Sequence, residues 1–597
     1  MRTRREWSRR YPPLGGALVA TLLAVFVLPS ALNVPQSNPT QTLEFAPVPP
    51  NDQDQPPPTG NVSQLALGTS DTNPAADAFG GESPGLPPLP PVPEGTGTRP
   101  ITKRCVGNPP RQTEDPLSPP CVGYFDGDNG GATSRGVTRD EVRVLVYMYA
   151  HYPDGTARGW EDPPDDTYWD LWDPPGDDEH FKVRSLRSYQ NYFNERYQTY
   201  GRRVHMWVYF DRGNASATPE GRIADALDNI EEIDPFAVLA YPRGADDVYI
   251  EAMAERGVMV FGARQPHREH FLRQYPGMIW SYPASVELQA RLYADWVCTN
   301  IVGEPVSFSG NGDVGQSRVL ALLRSADERT MSHIHYAEEA KRRIGDCGGV
   351  FEVEATFPVA GYAVGAAAGQ SPGQVAATNI ATFQQRDVTT VIWPQGFETH
   401  HSRAAAAVNY APEWVIGGDG LHESNTAAKF QDQSVWDQHA FVVTQVTAEV
   451  PLRESQCYRA AKEGSSQEFD GDIAYGCDFW QFYNNVRQLF TGIQVAGPNL
   501  TPESVDEGFH AIPALPSQDP SMPACFYQPG DYTCVKDGVV EWWDTTAQPE
   551  ASSEPGCWRM VDDGQRYFAG RWPEGDPVEL RSADDPCNTW SQGPTYS

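Results

Sequence analysis

Apolar residues through the middle of the chain fall into two alternating patterns. Short runs with little polar interruption occur at Val142 to Tyr149, His205 to Phe210, Phe236 to Ala240 and Val258 to Gly262. Between the first two, Leu186, Tyr189, Phe193 and Tyr197 recur at three- and four-residue spacing, which marks the buried stripe of a helix. Short continuous runs suit strands buried on both faces, and such strands alternating with amphipathic helices predict a parallel sheet covered on each side. A second series occupies Val319 to Leu323, Phe351 to Phe357, Thr390 to Trp393, Trp414 to Gly418 and Phe441 to Val446. Two sets of similar size predict an α/β chain with two Rossmann-like lobes.

The pattern changes on either side of these sets. Phe479, Phe482, Val486, Leu489 and Ile493 give a strong amphipathic helix, and Thr501-Pro502-Glu503 supplies the cap and first turn of another. From Pro513 onward the sequence is loop-rich, with four Cys, the pair Trp542-Trp543 and repeated Pro and Gly, which predicts a disulfide-stapled extension packed on the lobes. Before the lobes, residues 33–104 are rich in Pro, Gly, Ser, Thr and Asp. They bury too little apolar surface to offset ordering entropy, so a disordered tether is expected there. The chain opens MRTRREWSRR and is then almost continuously apolar from Leu14 to Leu32. A basic stretch before an apolar one marks an export segment, and its length is near the ~20 residues that a bilayer requires. Residues 1–32 are expected to be either a signal peptide or an amino-terminus-inside signal anchor; no Cys lies near them, which argues against a lipid anchor.

Composition narrows the setting. Lys plus Arg number 45 against 79 Asp plus Glu, a formal charge of -34, and this excludes the basic surface that nucleic acid binding needs. The 10 cysteines all lie beyond residue 104 and fit an oxidising compartment. Proximity pairs Cys105 with Cys121, Cys298 with Cys347, Cys457 with Cys477, Cys525 with Cys534, and Cys557 with Cys587. No C-x-x-C pair is present, so a zinc site is not expected. The folded part is expected to be extracytoplasmic, secreted or anchored, with membrane contact only through the N-terminal segment.

Gly136-Val137-Thr138-Arg139-Asp140-Glu141-Val142-Arg143-Val144 resembles the opening of the branched-chain amino acid (Leu/Ile/Val) substrate-binding proteins of ABC transporters. The resemblance extends over about residues 135–545, through a crossover helix from Ser285 to Ile301, the returning helix at Phe479 and a Tyr527-Gln528-Pro529-Gly530-Asp531 turn before Val539 to Trp543. It implies a type I periplasmic-binding fold over residues 105–545: two lobes joined by three crossovers, with a ligand in the cleft. Lobe 1 would take about 135–305 plus 475–515 and lobe 2 about 316–450, leaving 546–597 as the extension. In the family an acidic residue in a Gly-rich turn of the second lobe holds the ligand's ammonium group. The matching stretch, Gly417-Gly418-Asp419-Gly420, makes Asp419 the first ligand candidate, and the family's aromatic shelf falls at Trp393 to Phe397. In the first lobe the family's Ser and Thr hydroxyls are replaced by Tyr241-Pro242-Arg243-Gly244-Ala245 and Ala263-Arg264-Gln265-Pro266. Arg243 and Arg264 suit a carboxylate, gripped bidentately, and depart from the pattern for a free branched-chain amino acid. Tyr152 to Asp178, with Tyr168, Trp169 and Trp172, is far longer than an ordinary βα loop and is expected to be a surface insertion or a lid.

Other strings carry less. Gly369-Gln370-Ser371-Pro372-Gly373 satisfies G-x-S-x-G, but no buried strand precedes it, and Ser371-Pro372 reads as a helix start. Gly310-Asn311-Gly312-Asp313-Val314-Gly315 precedes a strand instead of following one, the reverse of the dinucleotide-binding order. Asp126-Gly127-Asp128-Asn129-Gly130-Gly131 lacks the last glutamate of a calcium loop, Val137 standing in its place. His267 with His270, His333 with His335, and His400-His401 lack metal-binding spacing and are expected on helix surfaces. The sequence thus leads to a non-enzymatic protein without a cofactor that captures a small polar solute, an amino acid or relative, for an ABC permease. A membrane-tethered sensory or scaffolding ectodomain of the same fold is the alternative.

Overall fold

The computed structural model describes residues 105–588, except 109, 149–166, 177–178, 214–215, 217, 242–245, 263–265, 327–330, 358–370, 449, 451, 466–481, 514–521 and 550–553. Its first sheet contains β1 (Glu141–Met148), β2 (Thr167–Asp170), β3 (Arg203–Phe210), β4 (Ala237–Tyr241), β5 (Met259–Phe261) and β6 (Ile279–Trp280), in the order β2-β3-β1-β4-β5-β6. All neighbours are parallel except β2, which runs antiparallel to β3. In the centre, Val144 of β1 lies opposite Met206 on one side and Ala237 on the other. Val144 to Tyr147 are all wholly buried; since successive side chains point to opposite faces, both faces are covered. The links carry α1 (Phe181–Arg196), α2 (Pro219–Ile233), α3 (Asp246–Ala254) and α4 (Glu269–Gln274).

Helix α5 (Val286–Asn300) leads to the second sheet, where β7 (Leu320–Ser325), β8 (Phe351–Phe357), β9 (Thr390–Trp393), β10 (Glu413–Gly417) and β11 (Ala440–Thr444) are parallel. They alternate with α6 (Met331–Asp346), α7 (Pro372–Gln385), α8 (His400–Ala407), and the short α9 (Asn425–Ala428) and α10 (Gln433–Trp436). The chain then returns to the first lobe as α11 (Gln456–Gly464), α12 (Phe482–Ala496) and α13 (Pro502–Ala511). Phe482, Val486, Leu489, Phe490 and Ile493 of α12 are at most 1% exposed in the first lobe's core; burial of each such side chain contributes roughly 1.5–3 kcal/mol. Thr501 and Ser504 form a reciprocal cap at the start of α13, as Ser371 and Gln374 do at α7.

The segment after 513 is more than a loop-rich extension. It supplies β12 (Asp537–Asp544), β13 (Cys557–Met560) and β14 (Tyr567–Phe568), all antiparallel pairings that enlarge the second sheet to the order β13-β12-β11-β10-β9-β7-β8, with β14 on β12. Cys105–Cys121, Cys298–Cys347, Cys525–Cys534 and Cys557–Cys587 are bonded as proximity predicts. Cys457 is also in a disulfide, while Cys477 lies outside the described residues. Among the described residues no helix is long and apolar enough to cross a membrane; the Leu14 to Leu32 run lies outside them.

Three segments pass between the sheets: 281–284 into α5, 445–448 out of β11, and 533–536 into β12. They are bonded to one another. Ser281 donates its N–H to Tyr532 (2.9 Å) and accepts from Cys534 (2.9 Å), Val535 donates to Tyr282 (3.1 Å), and the Gln445 side chain accepts from the Ala284 N–H (3.1 Å). The two-lobed, three-crossover arrangement implied by the resemblance is therefore present.

Gly417 closes β10 where the chain has no room for a side chain. A β-carbon there would stand 1.9 Å from the Pro394 carbonyl oxygen and 2.6 Å from the Tyr336 hydroxyl. Gly417→Ala should lower the unfolding free energy by about 3 kcal/mol or more, at the upper end of overpacking effects. Gly345→Ala, in α6 with nothing within 4 Å of the new carbon, should instead raise it by about 0.5–1 kcal/mol. Urea unfolding of the two variants checks both signs.

Candidate rims of an inter-lobe cleft

The carboxyl ends of the parallel strands carry the loops of interest. In the second lobe the loops after β9 and β10 are joined by Asp419. Its Oδ2 accepts from the backbone N–H groups of Gly396 (2.9 Å) and Phe397 (3.0 Å), and its Oδ1 from those of Leu421 (2.9 Å) and His422 (2.8 Å). The side chain is 1% exposed, with His422 Nδ1 at 3.4 Å. Burial opposes ionisation, but the His422 ring, His333 and the amide donors outweigh it and hold the carboxyl well below its ordinary range. Glu423 is the counterpart: burial and the neighbouring Asp419 charge push its pKa up, while it accepts from the Asp419 N–H and the Thr444 hydroxyl, both at 3.0 Å. The Asp419 carboxylate is thus committed to ordering the rim, where the sequence placed it against a ligand's ammonium group.

The aromatic shelf divides. Trp393 is wholly buried among Phe357, Trp414, His422 and Trp436, and its indole N–H donates to the Gly396 carbonyl (3.2 Å). It is a core residue, which corrects its assignment to a ligand shelf. Phe397 is half-buried at the loop end, edge-on to His422.

In the first lobe, Arg243 and Arg264 lie outside the described residues. The residues that follow are described. His267 is buried with Nδ1 3.2 Å from Asp247. Arg268 reaches Glu287 in the first turn of α5 (3.4 Å) and lies with Nη1 3.2 Å from Nε2 of His335 in α6. This last contact joins the two lobes. Burial and Arg268 push the His335 pKa down against Glu287 and Glu338, which suits a neutral ring accepting from the guanidinium. Sequence reasoning missed Arg268, Glu287 and His335 because the contact joins residues 67 positions apart. The surface placement expected for the histidines fails at His267, His333 and His401, all buried; His401 Nδ1 pairs with Glu398 at 2.7 Å.

The insertion residues 152–166 lie outside the described part. Tyr168 and Trp169 belong to β2 at the sheet edge, where the Tyr168 hydroxyl donates to Asn229 (2.6 Å). Trp172 stacks on His205, ring centroids 3.7 Å apart. These described rings pack along the edge of the first sheet.

A cavity of about 500 Å³ opens beside the crossings, between α4, the start of α5, α6 and residues 526–536. Several of its charges pair along its own walls, Glu269 with Arg273 (2.7 Å), Glu339 with Arg343 (2.6 Å) and Asp531 with Lys536 (2.9 Å). Among the described residues no group of three or more His, Cys, Asp or Glu is placed to hold a metal ion. The described rims thus carry the Arg268 guanidinium, the His335 imidazole, the half-buried Phe397 and the exposed Leu421.

No family model matches the sequence, and no curated protein matches it. Solved structures similar to this chain include ABC-transporter substrate-binding proteins. A leucine-, isoleucine-, valine-, threonine- and alanine-binding protein from Brucella ovis in a closed conformation gives a TM-score of 0.47 at 10% identity, over 75% of this chain and 100% of its own. An ABC-transporter substrate-binding protein from Aeropyrum pernix gives 0.46 at 12% identity, over 74% and 98%. A branched-chain amino acid ABC-transporter protein from Thermus thermophilus with bound valine gives 0.45 at 10% identity, over 72% and 97%.

The Asp419 network makes a pH-dependent prediction. A carboxyl whose folded pKa is depressed stabilises the fold above its unfolded value, 3.8 for this group, and loses that contribution as pH falls below it. Asp419→Asn should cost about 1–3 kcal/mol at pH 7, as charged hydrogen bonds of this kind do. The gap from wild type should hold down to pH 4 and narrow below it, as read by denaturant melts from pH 7 to 2.5.

Proposed function

We propose that the chain is an extracytoplasmic solute-binding protein that captures a small polar ligand, an amino acid or a related metabolite, between its lobes and hands it to an ABC permease. The observation that supports this reading is the meeting of two carboxyl-end rims at Arg268 and His335, beside a hinge of three crossings. In open parallel sheets this edge gathers the loop amides and helix N-termini that hold ligands. Lobes joined by short segments close on a ligand by hinge rotation.

The first rim supplies Arg268; in the sequence, Arg243 and Arg264 follow the ends of β4 and β5 by two and three residues. Cationic side chains at these positions suit a carboxylate at the ligand's first-lobe end. The second rim keeps Phe397 and the exposed Leu421 for an apolar part, while Asp419 holds that rim in shape. This pairing suits an amphipathic metabolite better than a sugar.

A thermal-shift screen of the purified chain against amino acids, peptides, sugars and polyamines tests the reading. A ligand present at 100 times its Kd stabilises the native state by about 2.7 kcal/mol, a shift of several degrees. A carboxylate-bearing amino acid or relative is expected to raise Tm, and Arg264→Ala and Arg268→Ala are each expected to diminish that rise, measured from the variant's own ligand-free Tm. A panel that moves nothing, or a shift undiminished in both variants, sinks the assignment.

A further inference from the structure

The segment that follows β12 has no counterpart in the solute-binding reading, yet it grips the crossings. Arg566, whose side chain is 2% exposed, donates from Nη1 to the Val446 carbonyl (2.5 Å) and from Nη2 to the Gln445 carbonyl (2.9 Å), and its Nε pairs with Asp537 Oδ1 (3.0 Å). Gln445 and Val446 begin the second crossing, and Asp537 opens the strand in which the third one ends. One guanidinium therefore ties two crossings at the point where they leave the second sheet. The path of the first is gripped as well: Trp572 Nε1 donates to the Leu292 carbonyl (2.9 Å) and the Gly575 N–H to Asn300 Oδ1 (3.1 Å), both in α5. The same segment reaches the second rim, where Trp558 Nε1 donates to the His422 carbonyl (2.8 Å) and Asn588 Nδ2 to the Glu423 carbonyl (2.9 Å). Cys557–Cys587 closes the segment, and Asn588 bridges Ala448 in the second crossing.

We infer that residues 554–588 form a hinge brace, with Arg566 as its positioning residue: by holding carbonyls of one crossing and the carboxylate of another, it fixes the angle at which the second lobe leaves the hinge. The significance of that angle for ligand capture rests on the solute-binding reading; the brace itself does not. The planar guanidinium fork makes the role specific. A lysine keeps the charge opposite Asp537 but presents a single point that cannot span both carbonyls and the carboxylate.

Hydrogen–deuterium exchange and small-angle X-ray scattering on the ligand-free full chain test this, with Arg566→Lys as the main variant and Asp537→Asn as a second that loosens the fork from its other side. In Arg566→Lys the amides of 281–284, 445–448 and 533–537 should exchange about tenfold faster or more, the effect of losing hydrogen bonds to a charged group. The radius of gyration should rise, while β9 and β10 keep their protection. Asp537→Asn should move the same amides in the same direction. Unchanged exchange and scattering in the variants overturns the brace, and so does protection lost equally from β9 and β10, which would make Arg566 a general stabiliser. Because no ligand enters the experiment, this outcome is separable from failure of the thermal-shift screen.

Discussion

Ser281 is bonded through both its N–H and its carbonyl to the strand-like segment 532–534, and Ala284 is held by the side chain of Gln445. These bonds set three otherwise independent passages of chain side by side between the sheets. Each lobe gathers its core from segments on both sides of the crossings, and the position of one lobe against the other depends on this narrow ribbon. Bending a few residues there moves a whole rim, because the packed sheets on either side deform little. The Arg268–His335 contact lies on the same axis of constraint, since Arg268 also reaches Glu287 at the start of the helix that the first crossing enters.

The second rim shows how a polar turn can be made rigid without a ligand. Gly417 and Gly418 are there because the Pro394 carbonyl, the Glu423 carboxylate and Thr444 crowd the space a side chain would occupy. With the backbone so close, Asp419 can reach amides from two loops at once and Glu423 can close beneath it. Two neighbouring buried carboxyls driven in opposite directions, one down by amides and histidines and one up by burial and its neighbour, avoid placing two full charges in a low-dielectric site.

Much of this was legible in the sequence, and for a physical reason. Strands buried on both faces must be apolar along most of their length, so β1, β3, β4, β5, β7, β9, β10 and β11 stand out as runs, whereas β8, at the sheet edge, alternates exposed and buried residues. Edge elements escape that rule. β2 is four half-buried residues, β6 is two residues, and β13 and β14 exist only because β12 is beside them. At the rim, Gly-Gly-Asp-Gly correctly located the turn, but the partners that fix the role of Asp419 come from a loop 22 and 23 positions away. Trp393 was misassigned for a similar cause: a tryptophan closing a strand can face the cleft or the core, and only the packing of Phe357, Trp414 and Trp436 decides. Two of the buried histidines went unrecognised because their carboxylate partners stand at spacings that sequence motifs do not record: Asp247 lies 20 residues before His267, and Glu398 three before His401.

The Cys298–Cys347 disulfide gives the second lobe a mechanical property of its own. It fastens the far end of α5 to the residue just beyond α6, and the two helices already pack along their lengths. One begins where the first crossing arrives; the other carries His335 in its second turn, at the rim. Cross-linked at this end, the packed pair resists sliding of one helix past the other.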